Sequence, residues 1–262
     1  MTTPGPGVAG RYGFAGRVAL VTGAAGSGIG KATARRMAAE GAAVVVTDVH
    51  AARTEATVAD LRAEFPDATV VGHVLDAGDR GQIDAVVDAV SADLGPIDLL
   101  VNNAAVNVLG LVVDYDPDDW DRVLAVDLTG CWYLAKRVMP GMITRGGGSV
   151  VNISSVASSL GGGGTEGPYA AAKAGLQSLT RTIAAEGGPF GIRANAIAVG
   201  IVWTKFVEKH ADRLAPEAER TPLRRLGQPE EIAAVAAWLA SEESSFVTGA
   251  TVNASGGWYM GA

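Results

Sequence analysis

Short apolar runs alternate with longer amphipathic segments along this chain. Seven runs rich in Val, Ile and Leu stand at 17–22, 43–48, 69–75, 97–101, 149–154, 192–197 and 250–253. Their apolar character is nearly continuous rather than alternating, which is the pattern of strands covered on both faces. Between them, Ala-rich stretches with helical spacing occupy 29–40, 53–64, 80–94, 117–143, 169–185 and 229–239. This alternation predicts an α/β fold, a parallel sheet with helices on both sides. No composition shift, repeat or linker divides the chain, so a single domain is expected over 14–262 after a flexible Pro- and Gly-rich tail at 1–13. The one low-complexity stretch, the glycines at 161–164, reads as a loop.

Composition narrows the function classes. With 262 residues, 48% of them hydrophobic, the chain can bury a large core. A net charge of −7 argues against a nucleic-acid partner, which needs a basic patch. No apolar run approaches the roughly 18 residues that span a bilayer, so no membrane partner is expected. One cysteine, Cys131, cannot form an internal disulfide, which suits a cytoplasmic location. His50, His73 and His210 lie far apart without ligand spacing, so no metal site is expected.

Two stretches carry chemistry. The first strand runs into Thr22 and then Gly23-Ala24-Ala25-Gly26-Ser27-Gly28-Ile29-Gly30, where a helix starts. Glycines there let the backbone approach a pyrophosphate, and the helix N-terminus offers N–H groups and a positive dipole end. The second strand ends in Asp48, whose carboxylate can accept both ribose hydroxyls of NAD and would repel the extra phosphate of NADP. Further on, Tyr169 and Lys173 stand one helical turn apart on one face. A phenol is a poor acid–base at neutral pH unless a nearby cation favours the phenolate. Ser155 closes the strand before them, at the sheet end where ligands bind in such folds. Each feature alone has a plainer reading: an ordinary turn, a capping Asp48, an exposed helix pair, a turn-forming serine.

Together they resemble the short-chain dehydrogenase/reductase family of compact chains. The resemblance covers residues 16–257. It rests on Thr22 to Gly30, Asp76, Asn102-Asn103-Ala104-Ala105, Ser155, Tyr169 to Lys173, Arg193-Ala194-Asn195-Ala196-Ile197 and 222–232. It implies a single Rossmann-type doubly wound domain, with seven parallel strands in the order 3-2-1-4-5-6-7. It also implies an NAD-dependent enzyme that interconverts a secondary alcohol and a ketone. Ser155 would hold the substrate oxygen, Tyr169 would move its proton, and Lys173 would lower the tyrosine pKa and grip the nicotinamide ribose. Gly23, Ser27, Gly28, Ile29, Gly30, Asp48, Asp76, Asn103, Ala104, Ile201 and Thr204 would line the cofactor. A homotetramer would form on the helices over 120–143 and 169–185. The segment 203–222 would set the substrate. Leu109, Val156, Trp203 and Phe206 suggest an apolar one, while Lys205, Lys209 and Arg213 would either meet a coenzyme A phosphate or face solvent.

The chain departs from the family at four points. The glycine turn is one residue longer between Gly23 and Gly28, the interval from Ser155 to Tyr169 is also one longer, and Val199 replaces a proline. Asp127 stands where the family has the asparagine of its proton relay. Either its main-chain carbonyl serves, so that Asp127→Asn is near neutral, or its carboxylate takes part; the first is the expectation, since Asp and Asn fill the same space. The alternatives to an alcohol dehydrogenase are a catalytically quiet NAD-binding regulator and an epimerase-type enzyme, with a Rossmann methyltransferase behind them because it has no use for Tyr169 and Lys173.

Overall fold

The computed structural model describes residues 11–204 and 211–261. Its sheet has seven parallel strands in the order β3-β2-β1-β4-β5-β6-β7. They are β1 (Val18–Val21), β2 (Ala43–Asp48), β3 (Val70–Val74), β4 (Leu99–Asn102), β5 (Gly148–Ser155), β6 (Ile192–Val199) and β7 (Thr251–Ala254). Pairing is in register along the sheet, with Leu20 beside both Val45 and Leu100. The helices are α1 (Ile29–Ala39), α2 (Ala51–Glu64), α3 (Arg80–Asp93), α4 (Pro117–Leu124), α5 (Cys131–Arg145), α6 (Ala157–Leu160), α7 (Gly167–Gly187), α8 (Ala211–Arg220) and α9 (Pro229–Ala240).

Side chains of each strand alternate between two cores. Val21, Val46, Val101, Val151 and Ile197 pack under α1 and α9 through Met37, Ile232 and Ala236. Leu20, Val45, Leu100 and Val150 pack under α3, α5 and α7 through Val87, Leu134, Val138 and Ile183. Coverage on both faces holds for the inner strands. The edge strands β3 and β7 alternate between covered and exposed positions, because each edge has fewer helices over it.

The chain builds outward from β1 to β2 and β3, then crosses to β4 on the other side of β1. The chain thus reverses direction across the sheet at β1 and β4, and the C-terminal ends of the strands at such a switch point are the usual ligand position of a doubly wound sheet.

Three local expectations change. The helix expected over 117–143 is continuous but contains a π-helical turn, Ala125–Gly130, between α4 and α5. The glycines at 161–164 form a left-handed turn, all with positive φ, following the short helix α6. The last residues of the expected tail are anchored: Arg11 pairs with Glu243, and the Tyr12 N–H donates to Glu40 at 2.8 Å.

The π turn is held from two sides by missing side chains. A Cβ on Gly130 would lie 1.8 Å from the Ala77 carbonyl oxygen, and one on Gly175 of α7 would lie 2.9 Å from Leu128. Gly130→Ala should therefore cost about 3 kcal/mol, the upper part of the overpacking range, because its neighbour is backbone. Urea denaturation checks this, and an unchanged midpoint would show that the contact at Ala77 yields freely.

Candidate active site

The glycine turn divides into packing and cradle positions. Gly23 has φ 59°, and its Cβ would sit 2.8 Å from the Ala104 Cα. A Cβ on Gly30 would meet the Gly23 carbonyl oxygen at 2.2 Å. These two let β1, α1 and the β4 loop close on one another. Gly26 and Gly28 instead look outward; added Cβ atoms would find only Arg53 and Thr204, at 3.9 Å. Ser27, between these two glycines, is exposed. The α1 N-terminus carries no side-chain cap and no acid in its first turn. An open glycine cradle before an uncapped helix start fits a pyrophosphate.

The expected cofactor residues take two kinds of place. Asn103 is used on the turn itself: its amide donates to the carbonyls of Thr22 at 2.9 Å and Gly23 at 3.0 Å. The Ala104 N–H donates to the Thr22 hydroxyl at 2.9 Å. Both residues shape the cradle. Asp76 accepts from Gly78 and pairs with Arg122 at 2.9 Å. Ile201 accepts from the Gly227 N–H, which leaves Thr204 beside Gly28.

Asp48 closes β2 at the edge of the crevice and is 9% exposed. Burial pushes its carboxyl above the usual carboxylate range, while Arg53 and the N–H groups of Ala25 and Val49 pull it down. Arg53 approaches to 3.4 Å from the first turn of α2. The sequence reading missed Arg53; its spacing of five from Asp48, one helix turn beyond the strand end, was the available signal.

At the other end of the crevice, α7 starts at Gly167 with Pro168 in its first turn, which sets Tyr169 facing the end of β5. The Ser155 Oγ accepts from the Ala157 N–H at 3.1 Å, so the hydroxyl is oriented at the strand end. Lys173 is 2% exposed, with Nζ 5.3 Å from the Tyr169 ring centre. Its Nζ donates to the Ile153 carbonyl at 3.1 Å and pairs with the Asp127 carboxylate at 3.1 Å. The other carboxylate oxygen accepts from the Val106 N–H at 2.8 Å. The π turn is what aims this side chain inward.

Asp127 brings its carboxylate, and not only its main chain, to this cluster. Its main-chain oxygen faces Cys131 Sγ at 3.6 Å, whereas its carboxylate meets the ammonium directly. The electrostatics change with it. Burial alone would lower the Lys173 ammonium, but Asp127 and Tyr169 raise it. Burial raises Tyr169 above its ordinary value; Lys173 opposes this and Asp127 reinforces it, so the resting phenol is held up rather than down. Burial pushes the Cys131 thiol up to about 12, so it stays neutral beside the pair.

Of the expected substrate residues, Val156 is buried and belongs to the core, whereas Leu109 and Trp203 are exposed near the crevice. Lys205, Phe206 and Lys209 lie outside the described residues, as does the Arg213 side chain. Among the described residues no group of three or more His, Cys, Asp or Glu could hold a metal, and no helix is long and apolar enough to cross a membrane.

Known proteins are similar to this chain over almost its whole length. The family described as enoyl-(acyl carrier protein) reductase matches residues 23–259. A 3-oxoacyl-[acyl-carrier-protein] reductase of Thermotoga maritima is 43% identical over 92% of this chain and 97% of its own length. Levodione reductase of Leifsonia aquatica is 40% identical over 93% of this chain and 94% of its own. The meso-2,3-butanediol dehydrogenase of Serratia marcescens is 36% identical over 93% and 95%. The crystal structure of a levodione reductase superposes with a TM-score of 0.87 at 39% identity, covering 93% of this chain and 98% of that one.

Removing one member of the buried pair should be costly and removing both should not. Lys173→Met strands the Asp127 carboxylate and should lose about 3–5 kcal/mol at neutral pH. The loss should shrink as pH falls, because a protonated Asp127 needs no counter-ion. The double variant Lys173→Met/Asp127→Asn should recover most of it in urea denaturation. Equal losses for the single and double variants would mean the pair is not coupled.

Proposed function

The chain belongs to the short-chain dehydrogenase/reductase family, and from that premise we propose that it is an NAD(H)-dependent oxidoreductase interconverting an apolar secondary alcohol and its ketone. The observation that carries the reading is the convergence of Ser155, Tyr169 and Lys173 at the end of β5, beside the crevice whose other wall is the glycine cradle.

When bound, nicotinamide supplies or takes up the hydride. The chain's own groups do the rest. The Ser155 hydroxyl holds the substrate oxygen, and Tyr169 gives that oxygen its proton in reduction or takes it in oxidation. Lys173 confronts the phenolate with a positive charge and is itself fixed from behind by Asp127 and Ile153. Gly26, Gly28 and the α1 N-terminus hold the pyrophosphate, Asp48 the adenosine ribose, and Thr204 the nicotinamide side.

The choice of NAD rests on Asp48, an acid where the extra phosphate of NADP would fall. Apolar substrate preference rests on the loops at the C-terminal ends of β4, β5 and β6. Leu109, Leu111, Val112, Val113, Leu160 and Trp203 are all exposed there, an unusual concentration for a solvated surface. The reading extends to a homotetramer and, from the single neutral cysteine, to a cytoplasmic location.

The deciding experiment is a screen of secondary alcohols, ketones and 3-hydroxyacyl thioesters with NAD(H), followed at the nicotinamide absorbance. Tyr169→Phe should lower turnover by about 10²- to 10⁴-fold, the worth of general acid–base catalysis. NAD binding, read by fluorescence titration, should survive. A chain that binds NAD and turns over none of these compounds is instead a regulator. For the cofactor, kcat/KM should favour NAD by at least about tenfold, or roughly 1.4 kcal/mol, and Asp48→Ala should narrow the gap. Equal use of NADP by the wild type would sink the assignment of Asp48.

A further inference from the structure

Asp127 occupies an unusual position for an acid beside a proton-transfer site. It is fully buried, sits on a π-helical turn, and meets Lys173 at 3.1 Å with the Val106 N–H on its second oxygen. π turns interrupt helices mostly where a function depends on them. Here the turn brings a second charge to a lysine whose ordinary task is to face a phenol with an unopposed cation. The Asp127 carboxylate therefore sets a negative charge against the cation that would stabilise a Tyr169 phenolate.

We propose that Asp127 is a positioning residue that offsets Lys173 and thereby keeps Tyr169 a phenol, ready to donate a proton, throughout the neutral range. This rests on the acid–base role of Tyr169 argued above, and it assigns that role a pH dependence. Reduction, which needs the phenol, is then flat with pH across neutrality. Oxidation, which needs the phenolate, keeps rising into alkaline solution. The ratio of forward and reverse rates at any pH remains fixed by the reaction's equilibrium; Asp127 sets only where each profile bends.

The surrounding groups agree. From α7, Tyr169 faces Lys173, and Glu166 adds a further negative charge that favours the phenol. From β5, Ser155 supplies a hydrogen bond that favours the phenolate. From α5, the Cys131 thiol beside Lys173 stays neutral. From α4, Arg122 acts on Asp127 only at a distance, being paired with Asp76. Among the described residues the cation acting on the phenol is Lys173, and its strongest counter-charge is Asp127.

The test needs no substrate. The protein is labelled with [ζ-13C]tyrosine, and Tyr169 among the five tyrosines is assigned by its loss in Tyr169→Phe. In the wild type its resonance should remain that of a phenol at pH 9. In Asp127→Asn, and in the smaller Asp127→Ser, the phenolate midpoint should fall by at least about one pH unit, as expected when a lysine loses its opposing charge. A wild-type phenolate already formed below pH 8 overturns the proposal, and so does an unchanged midpoint in either folded variant. A merely structural role for Asp127 would lower stability in both variants without moving the midpoint. Because the titration reads the phenol itself, it stands or falls independently of whether any alcohol in the screen is turned over.

Discussion

An ammonium group cannot be buried alone: the cost of leaving water is several kcal/mol per ion unless a counter-charge and hydrogen bonds replace the solvent. In this chain that constraint falls on Lys173, and much of the local structure follows from meeting it. Here the Asp127 carboxylate reaches the ammonium from the neighbouring helix, and the Ile153 carbonyl accepts from it as well. A regular α-helix across 117–145 would carry the residues after the π turn at a different angle around the axis, and the extra residue in the turn changes which side faces α7. Gly130 and Gly175 remove the two Cβ atoms that would hold the turn away from the Ala77 loop and from α7. The loop after β4 is drawn in as well, because the Val106 N–H donates to the carboxylate's other oxygen. One buried charge thus ties together α4, α5, α7 and the β4 loop, which are the elements that wall the reaction site.

The opposite wall is made by backbone rather than charge. Asn103 and Ala104 bind Thr22 and Gly23, so the β4 loop is fastened to the glycine turn at one end and to Asp127 through Val106 at the other. The cradle and the proton-transfer groups are therefore braced by one short loop. That arrangement meets the requirement that reacting groups be held by structure that does not move with them. It also explains why Asn103 turns its amide to the turn carbonyls: a glycine-rich segment with an extra residue has few side chains of its own to stabilise it.

Periodicity made most of the architecture legible. The inner strands are buried on both faces and bracketed by amphipathic helices, so the pattern at β1, β2, β4 and β5 was unambiguous, and the order of motifs located Ser155, Tyr169 and Lys173. What escaped was three-dimensional. Nothing in the run Ala125 to Gly130 distinguishes a π turn from α-helix, since it depends on contacts with Ala77 and Leu128. The direction of the Asp127 carboxylate followed from that turn and so was unreadable too. Arg53 was passed over because its partner lies across a strand end, and the helix at α8 because its segment is rich in charge and interrupted by Pro216.

The exposed apolar residues after β4 sit on a loop that is itself anchored. The β4 loop carrying Leu109, Leu111, Val112 and Val113 is fastened to the segment before α7: the Tyr115 hydroxyl donates to the Thr165 carbonyl at 2.8 Å and accepts from the Gly167 N–H at 2.9 Å, and Asn107 donates to Glu166 at 3.0 Å. Those bonds set the apolar rim in register with Tyr169, two residues beyond Gly167. The rim and the start of the helix that carries Tyr169 are therefore held by the same bonds, through Tyr115. The left-handed glycine turn at 161–164 lies between the rim and Ser155 and presents backbone where side chains would otherwise crowd the approach; at Gly161, Gly163 and Gly164 an added Cβ would meet nothing within 4 Å, so those positions stay bare because of their backbone conformation, not for want of room.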